Sequence, residues 1–493
     1  MNQDEIHVRN VTSLSIKDVL TSQPTAEVST LKNGLRVAAE DNGSQTATVG
    51  VWIETGSRYE SDEKNGVSHF LERLLHKGTN KRASTALEDE LDAIGAKLRS
   101  YTTRDRTAIY VQSASKDVEK VVDILADVLR NSKFDSSAVE AERAKLLADL
   151  EESESDLQGV TMDNLHTAAF QGTSLSKSPL GNTTSLKGIT AKDVKEWLED
   201  SYRPIRMVVS AVGGGCSGSK IEGLAQKYFG DLSSEYPRKV PEGGGIRFTG
   251  CEYRYRNDNI PHMYAAVAVE GVPYAHKDAL ALHMASEFIG QWDVTHATTR
   301  TAPSRWIQKI SHEHGLHYLQ HFNINYKDTG LWGVYFVSNG DDLVNSQGII
   351  RSIQHEWKHL AGAISEEETQ LARNQLRTAL YQQLETNTQK AEYYAKELLY
   401  IGGVRSLAQL EDQIANIDQH ALRKAVFDHV YDRDTANVGV DTEIPATLRA
   451  ENPEKAGHSM YPSLGSVLNP YPNAIKRFLC AEDTRACSSF EKS

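Results

Sequence analysis

The chain has 493 residues, with 54 Lys and Arg against 67 Asp and Glu, and a formal net charge of −13. This length exceeds one ordinary hydrophobic core and predicts several domains. The acidic balance argues against a nucleic-acid-binding body. No apolar run reaches the roughly 18 residues of a membrane-spanning helix, so any membrane association is expected through partners. Four cysteines without CxxC spacing exclude a disulfide scaffold and a zinc ribbon: Cys216, Cys251, Cys480 and Cys487.

The N-terminal residues 1–24 are assigned to an extension of the first domain. Their first ten residues (MNQDEIHVRN) include Asp4 and Glu5 and have no apolar centre, so they do not predict a secretory signal. Mitochondrial presequences are rich in Arg and poor in acids, so the segment is also a poor match to that class. The route of targeting stays open from the sequence.

The first half predicts strands grouped with helices. The pair Asn33 and Gly34 lies between two short apolar runs and predicts a hairpin turn. Hydrophobic periodicity predicts the further elements: a strand at 47–53, helices at 65–77 and 84–95, a hairpin or an edge strand at 98–112, helices at 116–131, 137–158 and 192–202, and a strand at 207–212. The order favours an α+β fold with a mostly antiparallel sheet rather than strict βαβ alternation.

A linker and a repeat divide the chain. Residues 231–245 (DLSSEYPRKVPEGGG) combine prolines, glycines and mixed charge, as is typical of a linker. Beyond it, a strand at 264–269 and a helix at 278–289 repeat the order seen at 48–53 and 67–75. We therefore predict two homologous domains, 25–230 and 246–449, although a strand–loop–helix unit shared by chance would give the same pattern. The Pro-containing segment 450–493 is predicted to be a C-terminal extension that is either disordered or laid along a partner surface, and its role is unassigned.

The predicted helix at 65–77 carries the chemistry. At about 100° per residue, one stripe collects four polar side chains: His69, Glu72, Arg73 and His76. A zinc peptidase would need H-x-x-E-H here, with both histidines on the metal and the glutamate polarising water. Arg73 occupies the position of the second histidine. His76 lies about 10.5 Å along the axis from His69, which is too far to share an ion. A solvated polar face is the alternative interpretation.

Several motifs together resemble one family. They lie at 31–37 (LKNGLRV), 49–53, 56–60, 65–72 (NGVSHFLE), 77–79, 101–104, 289–293 and 328–335. The sequence is similar to the pitrilysin/insulysin-type zinc peptidases with an inverted zinc motif, over residues of roughly 25–440. The resemblance is strongest to the mitochondrial branch, which contains the processing peptidase β subunit and the first core protein of ubiquinol–cytochrome c reductase (respiratory complex III). It implies two peptidase-family domains joined by a linker.

The resemblance also assigns the site residues. It implies that His69 is the first zinc histidine, Glu72 the catalytic glutamate and Arg73 the residue at the second zinc histidine. Asp149 falls at the glutamate ligand, and Glu142 matches a further acidic residue of the family. Because a guanidinium cannot bind zinc, we expect no bound metal and no catalytic residue, with His69, Glu72, Arg73 and Asp149 vestigial.

Arg73 could replace the missing cation. We hypothesise that its guanidinium pairs with Asp149 and Glu72, within about 6 Å, and keeps carboxylates gathered for a metal neutralised. The family's Asn-Ala on the substrate-binding edge strand is Arg99-Ser100 here. Substrate-binding residues are therefore left unassigned.

The resemblance implies two alternative functions. The first is a non-catalytic core subunit of mitochondrial ubiquinol–cytochrome c reductase, needed for assembly and stability of that dimeric complex. It would lie peripherally on the matrix side of the inner membrane, with core protein 2, cytochrome b, cytochrome c1 and the Rieske subunit as partners. No cofactor is expected on this chain, because haems and the iron–sulfur cluster belong to partners. The second is a processing peptidase β subunit, a zinc endopeptidase that removes presequences. The glycine-free stretch 291–314 disfavours the peptidase's α subunit.

Overall fold

The structure is a computed structural model that describes residues 23–238, 240, 242–256, 260–295, 305–313, 315–339 and 343–441. The predictions for the N-terminal residues 1–22, for the extension 450–493 and for Cys480 and Cys487 lie outside these residues. Across the part of the chain that is described, no helix is long and apolar enough to cross a bilayer.

The first half contains a six-stranded sheet and eight helices among its described residues. Its strands are β1 (Glu27–Thr30), β2 (Arg36–Glu40), β3 (Thr46–Ile53), β4 (Lys97–Thr102), β5 (Thr107–Ala114) and β6 (Met207–Gly213). Its helices are α1 (Val67–Leu75), α2 (Ser84–Ala93), α3 (Val118–Asn131), α4 (Ser136–Ser153), α5 (Leu157–Ala169), α6 (Thr183–Gly188), α7 (Ala191–Ser201) and α8 (Gly218–Phe229).

The second half repeats this composition. Its strands are β7 (Glu252–Arg256), β8 (His262–Gly271), β9 (Gln291–Asp293), β10 (Leu316–Asn325), β11 (Gly330–Asn339) and β12 (Thr435–Asp441). Its described helices are α9 (Ala279–Ile289), α10 (Arg305–Glu313), α11 (Leu343–Gly362), α12 (Glu366–Gln383), α13 (Asn387–Tyr400), α14 (Leu407–Ala415) and α15 (Gln419–His429).

The two sheets share one topology. The first has the order β1-β2-β6-β3-β5-β4, and the second has the order β7-β12-β8-β11-β10-β9. Without the edge strands β1 and β9, five strands correspond in order and in direction. Each set has one parallel pair, β2 with β6 and β7 with β12, and is otherwise antiparallel. The predicted α+β architecture of two homologous domains is confirmed.

The predicted hairpin is also confirmed. Strands β1 and β2 pair antiparallel on either side of the turn, and Gly34 has a φ of 87°, which a side chain would oppose. The Asn33 side chain accepts a hydrogen bond from Leu35 N at 3.2 Å and donates one to Phe229 O at 2.8 Å. The turn is thereby attached to the end of α8.

One predicted helix is wrong. The segment 137–158 is not a single helix, because α4 ends at Ser153 and α5 begins at Leu157. The hydroxyl of Ser155 donates to Glu152 O, and the carboxylate of Asp156 accepts from Gly159 N at 3.2 Å, so the second helix has its own N-cap. Short polar side chains that bond to nearby backbone compete with helix continuation, and here they turn the chain toward the second domain.

One helix of each domain packs on the sheet of the other domain, an arrangement that we call the helix exchange. Helix α5 of the first half packs on β8 and β12, and helix α13 of the second half packs on β2, β3 and β6. The buried residues of the first contact include Leu165, Ala168, Ala169, Ala266, Ala436 and Val438. Those of the second include Trp52, Val208, Ala391, Ala395 and Leu398. Alanines on both helices allow close approach to the strands, and the exchange joins the two domains into one packed unit.

The segment between α8 and β7 has no regular secondary structure among its described residues. It contacts the first half through Ser174, whose hydroxyl donates to Gly243 O, and through Thr249 N, which donates to Ala169 O at 2.8 Å. The domain limits at 24, 230, 245 and 449 stay predictions.

Candidate functional site

Helix α1 holds the predicted site residues and is fixed at its start by a buried carboxylate. Glu60 is 4% exposed and accepts hydrogen bonds from Gly66 N and Ser68 N, each at 2.7 Å, and from Asn65 Nδ2 at 2.9 Å. A carboxylate at a helix N-terminus accepts hydrogen bonds from amides that have no partner within the helix. Its negative charge also interacts favourably with the positive end of the helix dipole. The apolar side of α1 is fully buried, as the periodicity predicts: Phe70, Leu71, Leu74 and Leu75. The polar side is therefore presented in a defined direction.

One part of this polar side is a cluster of ion pairs with α4. Arg73 Nε lies 2.9 Å from Glu142 Oε1, and Arg73 Nη2 lies 3.0 Å from Asp149 Oδ2. Lys77 Nζ adds a contact of 3.1 Å to Glu142 Oε2. The hypothesised pair of Arg73 with Asp149 is present. The proposed pair with Glu72 is wrong, because the second partner of the guanidinium is Glu142.

Glu142 stays charged although it is buried. Its side chain is 2% exposed, whereas that of Arg73 is 38% exposed. Burial alone would raise the pKa of the Glu142 carboxyl, but Lys77 and Arg73 outweigh it and hold the pKa below its usual value. Removing both cations would leave this buried carboxylate with only Lys145 Nζ, at 3.8 Å from Glu142 Oε2, to balance its charge.

The other part of the polar side is a chain of hydrogen bonds to β4. His69 Nδ1 lies 3.2 Å from Glu72 Oε2, and Ser100 Oγ donates to Glu72 Oε1 at 2.8 Å. The same hydroxyl is 2.8 Å from His76 Nε2. Burial favours the neutral acid at Glu72, but His69, Thr102 and Ser100 outweigh this effect and lower its pKa. Burial lowers the pKa of His76.

Ser100 is the site residue that the sequence reasoning missed. The Arg99-Ser100 pair was recognised only as a departure from the family's edge strand. The relevant signal is alternation along β4, which points residues 98 and 100 to one face and residue 99 to the other. The exposed edge of β4, at Leu98 and Arg99, borders an open groove of about 600 Å³ together with His76, Leu87 and Leu91. Substrate-binding residues stay unassigned.

The residues at this site do not fit a catalytic zinc. The guanidinium of Arg73 bonds to the two α4 carboxylates Glu142 and Asp149, offers only N–H donors and is permanently charged. A dication there would meet Arg73 and Lys77 at short range, with no second imidazole to bind it. Among the described residues, the group that brings three metal-binding side chains together lies elsewhere, at His276, Asp278 and His429.

Comparisons with known proteins confirm the resemblance. Residues 36–183 match the insulinase family (peptidase family M16), and residues 188–376 match the peptidase M16 inactive domain. The chain is 66% identical over 434 residues to cytochrome b-c1 complex subunit 1, mitochondrial, of Caenorhabditis elegans, covering 88% of this chain and 92% of that protein. It is 37% identical to the mitochondrial-processing peptidase subunit beta of Rattus norvegicus, covering 85% of each.

A solved structure supports the fold. A chain of complex III2 from Candida albicans with Inz-5 bound aligns with a TM-score of 0.75 at 23% identity. The alignment covers 85% of this chain and 96% of that one. At this identity, the likeness shows the shared two-domain fold alone.

Proposed function

The chain belongs to the insulinase family of M16 peptidases, and from this premise we propose that it is a non-catalytic core subunit of the mitochondrial cytochrome b–c1 complex (ubiquinol–cytochrome c reductase). The observation that carries the proposal is the ion-pair cluster of Arg73 with Glu142 and Asp149. A side-chain cation takes the place in which the family's active members hold a metal. The identity of 66% to a subunit of that complex supports the same function.

In this proposal the chain supplies packing surface rather than chemistry. Without a Lewis acid, Glu72 has no activated water to deprotonate, and its lowered pKa makes it a weak base. The ion pairs neutralise Asp149, at the position of the family's metal ligand, and the buried Glu142. The role is then to support assembly and stability of the electron-transferring complex.

The finer parts of the proposal follow the family resemblance. The partners are core protein 2, cytochrome b, cytochrome c1 and the Rieske subunit, within a dimeric complex. The chain lies on the matrix side of the inner membrane as a peripheral subunit. It carries no haem, quinone or iron–sulfur cluster, and its His69–Glu72 site holds no zinc.

The alternative is a processing peptidase β subunit. It is favoured by the retained His69 and Glu72 and by the 37% identity to the rat peptidase subunit. It requires a metal held by His69, Asp149 and an unidentified third ligand in the presence of Arg73. We place it second because Arg73 already occupies one oxygen of Asp149 and Lys77 adds a further positive charge beside it.

Native isolation of the full-length, affinity-tagged chain from mitochondria in mild detergent tests the assembly. The expected result is that cytochromes b and c1 co-purify with the chain, as detected by their haem absorbance. The isolated complex should not cleave a presequence peptide. Co-purification of a processing peptidase α subunit with presequence cleavage, in place of the cytochromes, would overturn the proposal.

A pair of substitutions tests the loss of the metal. Arg73→His with Asp149→Glu rebuilds the family's ligand set and is expected to bind one zinc more per chain than the wild type, measured by elemental analysis after dialysis. The matched control, Arg130→His with Asp231→Glu, changes an exposed ion pair of 2.7 Å and should add none. His69→Ala in the wild type should leave the zinc content unchanged, and a loss of zinc would contradict the proposal.

A further inference from the structure

A second group of metal-binding side chains lies in the other domain, where α9 begins and α15 ends. Asp278 precedes the first residue of α9, and His429 is the last residue of α15. His276 lies in the turn just before Asp278. One ligand atom from each of these three residues lies within 4.8 Å of the others. The two helices also pack against each other, so the group joins two segments distant in sequence.

The distances are close to those of a bound ion. Asp278 Oδ2 lies 3.1 Å from His429 Nε2 and 3.8 Å from His276 Nδ1. The ligands of a tetrahedral zinc, with bonds of about 2.0–2.1 Å, lie about 3.3–3.4 Å apart. The two imidazole rings are 5.2 Å apart between centroids, and an ion shared by two imidazoles places them about 5 Å apart. The ligand atoms of the two imidazoles lie within 4.8 Å of each other, so side-chain rotation would bring all three donors to one ion.

The three side chains are held in place by their surroundings. His276 N donates to Pro273 O at 3.0 Å, and Ala279 N donates to His276 O at 3.1 Å, which fixes the turn. Asp278 N donates to His276 Nδ1 at 3.2 Å, which orients the ring, and a zinc ion bound to this nitrogen would take the place of that hydrogen bond. The carboxyl end of α15 adds a negative partial charge beside His429 that favours a cation.

The group is also reachable from solvent. The side chains of His276, Asp278 and His429 are 32%, 26% and 26% exposed. An ion can therefore enter without opening the core, and water can take the fourth position. Two imidazoles and one carboxylate form a donor set typical of zinc and differ from the all-oxygen set preferred by calcium or magnesium.

We propose that His276, Asp278 and His429 bind a zinc(II) ion that clips the end of α15 to the start of α9. The ion replaces the hydrogen bond between His429 and Asp278 with two bonds to one metal. We assign the ion a structural role, because it would join the ends of two helices that pack against each other, and the site is separate from the His69–Glu72 site on α1. It fastens α15, the helix that immediately precedes strand β12, to α9.

Zinc titration of the purified full-length chain tests the site. Zinc chloride in competition with a chromophoric chelator is expected to show one site per wild-type chain. His429→Ala and Asp278→Asn should weaken the binding by at least about 10–100-fold. The matched control is His420→Ala, which removes an exposed histidine from the same helix and should leave the affinity unchanged. Cobalt(II) in place of zinc should give the visible absorption of a tetrahedral site in the wild type and lose it in both site variants.

Thermal unfolding supplies a second readout. Zinc should raise the unfolding midpoint of the wild type and leave that of Asp278→Asn unchanged, since a ligand stabilises only a folded state that binds it. Absence of zinc binding to the wild type, or binding that survives both site variants, would overturn this inference and leave the proposed function untouched. Loss of zinc on His69→Ala, with His429→Ala normal, would overturn both.

Discussion

The same structural position is used differently in the two domains. Helix α1 follows β3 and carries the charged group of His69, Glu72 and Arg73 on one side. Helix α9 follows the corresponding strand β8 and buries Met284 and Phe288, at 0% and 3% exposure, on several sides. The fold therefore requires only the apolar side of this helix. The other side can hold a metal site, a set of ion pairs or further core, which is why function can be lost while the architecture remains.

The exchanged helices extend this comparison. Helices α5 and α13 both pack alanines and leucines against the sheet of the other domain, but their polar contacts differ. Helix α5 places His166 Nε2 2.8 Å from the hydroxyl of Tyr326, whereas α13 places the Tyr394 hydroxyl on the carboxylate of Glu40. If apolar packing dominates both contacts, equal truncations in the two helices should cost similar free energies despite these different polar partners.

The largest expected effect tests that symmetry. Leu165→Ala in α5 and Leu398→Ala in α13, at 0% and 1% exposure, should each lower the free energy of unfolding by about 2–5 kcal/mol. Chemical denaturation followed by circular dichroism measures both. Leu371→Ala, at 46% exposure on α12, is the control and should change it by less than about 0.5 kcal/mol. A large loss in only one helix would show that the exchange is energetically one-sided.

A buried glutamate in each domain gives the next comparison. Glu142 is paired with cations, whereas Glu356 on α11 is buried near another carboxylate, Glu368, and its pKa is raised by burial to about 7. A carboxyl group whose pKa is raised by folding contributes stability that is fully present below its pKa in the unfolded chain. This stability is lost as the pH rises through the folded-state pKa of about 7. Glu356→Gln should therefore stabilise the protein above pH 7, by up to about 3 kcal/mol.

Denaturation from pH 5 to pH 8 measures this effect, and the gain should shrink toward acid. Glu142→Gln is the counterpart, because its pKa is lowered. A carboxyl group whose pKa is lowered by folding contributes stability that is present above its pKa in the unfolded chain. This stability is lost as the pH falls through the lower pKa of the folded state. Glu142→Gln should therefore destabilise at neutral pH, and the same sign for both substitutions would contradict the comparison.

The ion pairs of Arg73 should contribute less than core packing. Arg73→Leu is expected to lower the free energy of unfolding by about 1–2 kcal/mol, since Lys77 still faces the buried Glu142. In a Glu142→Gln background the cost should fall, with a coupling energy of about 0.5–2 kcal/mol from the double-mutant cycle. Arg130→Leu is the matched control, because Arg130 is 31% exposed and the carboxylate of its partner Asp231 is 65% exposed. If the control substitution lowers the free energy of unfolding as much as Arg73→Leu does, burial of the partner carboxylate does not strengthen the ion pair.

The smallest effect is expected at Ser100. Ser100→Ala removes its hydrogen bonds to Glu72 and His76 and should lower the free energy of unfolding by about 0.5–1.5 kcal/mol. Ser137→Ala, at an exposed position of α4, should stay within about 0.5 kcal/mol of the wild type. No measurable difference between the two would show that the hydrogen-bond chain on β4 does not support α1.

Local patterns predicted most of this molecule. The Asn33–Gly34 turn, the amphipathic α1 and the repeat of strand and helix follow from short-range periodicity and turn chemistry. The break between α4 and α5 was missed because 137–158 keeps a helical composition and only the Ser and Asp side chains near 153–156 interrupt it. Arg73 was recognised as a cation in a metal position, but Glu142 as its partner depends on how α1 crosses α4. The helix exchange was not predictable, since it is a choice of tertiary partner that periodicity does not encode.

The helix exchange has a consequence for the order in which the chain can fold as it is synthesised. Helix α5 precedes the sheet that it covers, and His166 and Tyr326 are 160 residues apart. Helix α13 follows its sheet, and Tyr394 and Glu40 are 354 residues apart. The first sheet, although made first, keeps one apolar face with Trp52 uncovered until residue 400 has emerged. The nascent N-terminal domain thus stays incomplete until most of the second domain has been synthesised, and its uncovered apolar face favours aggregation during this period.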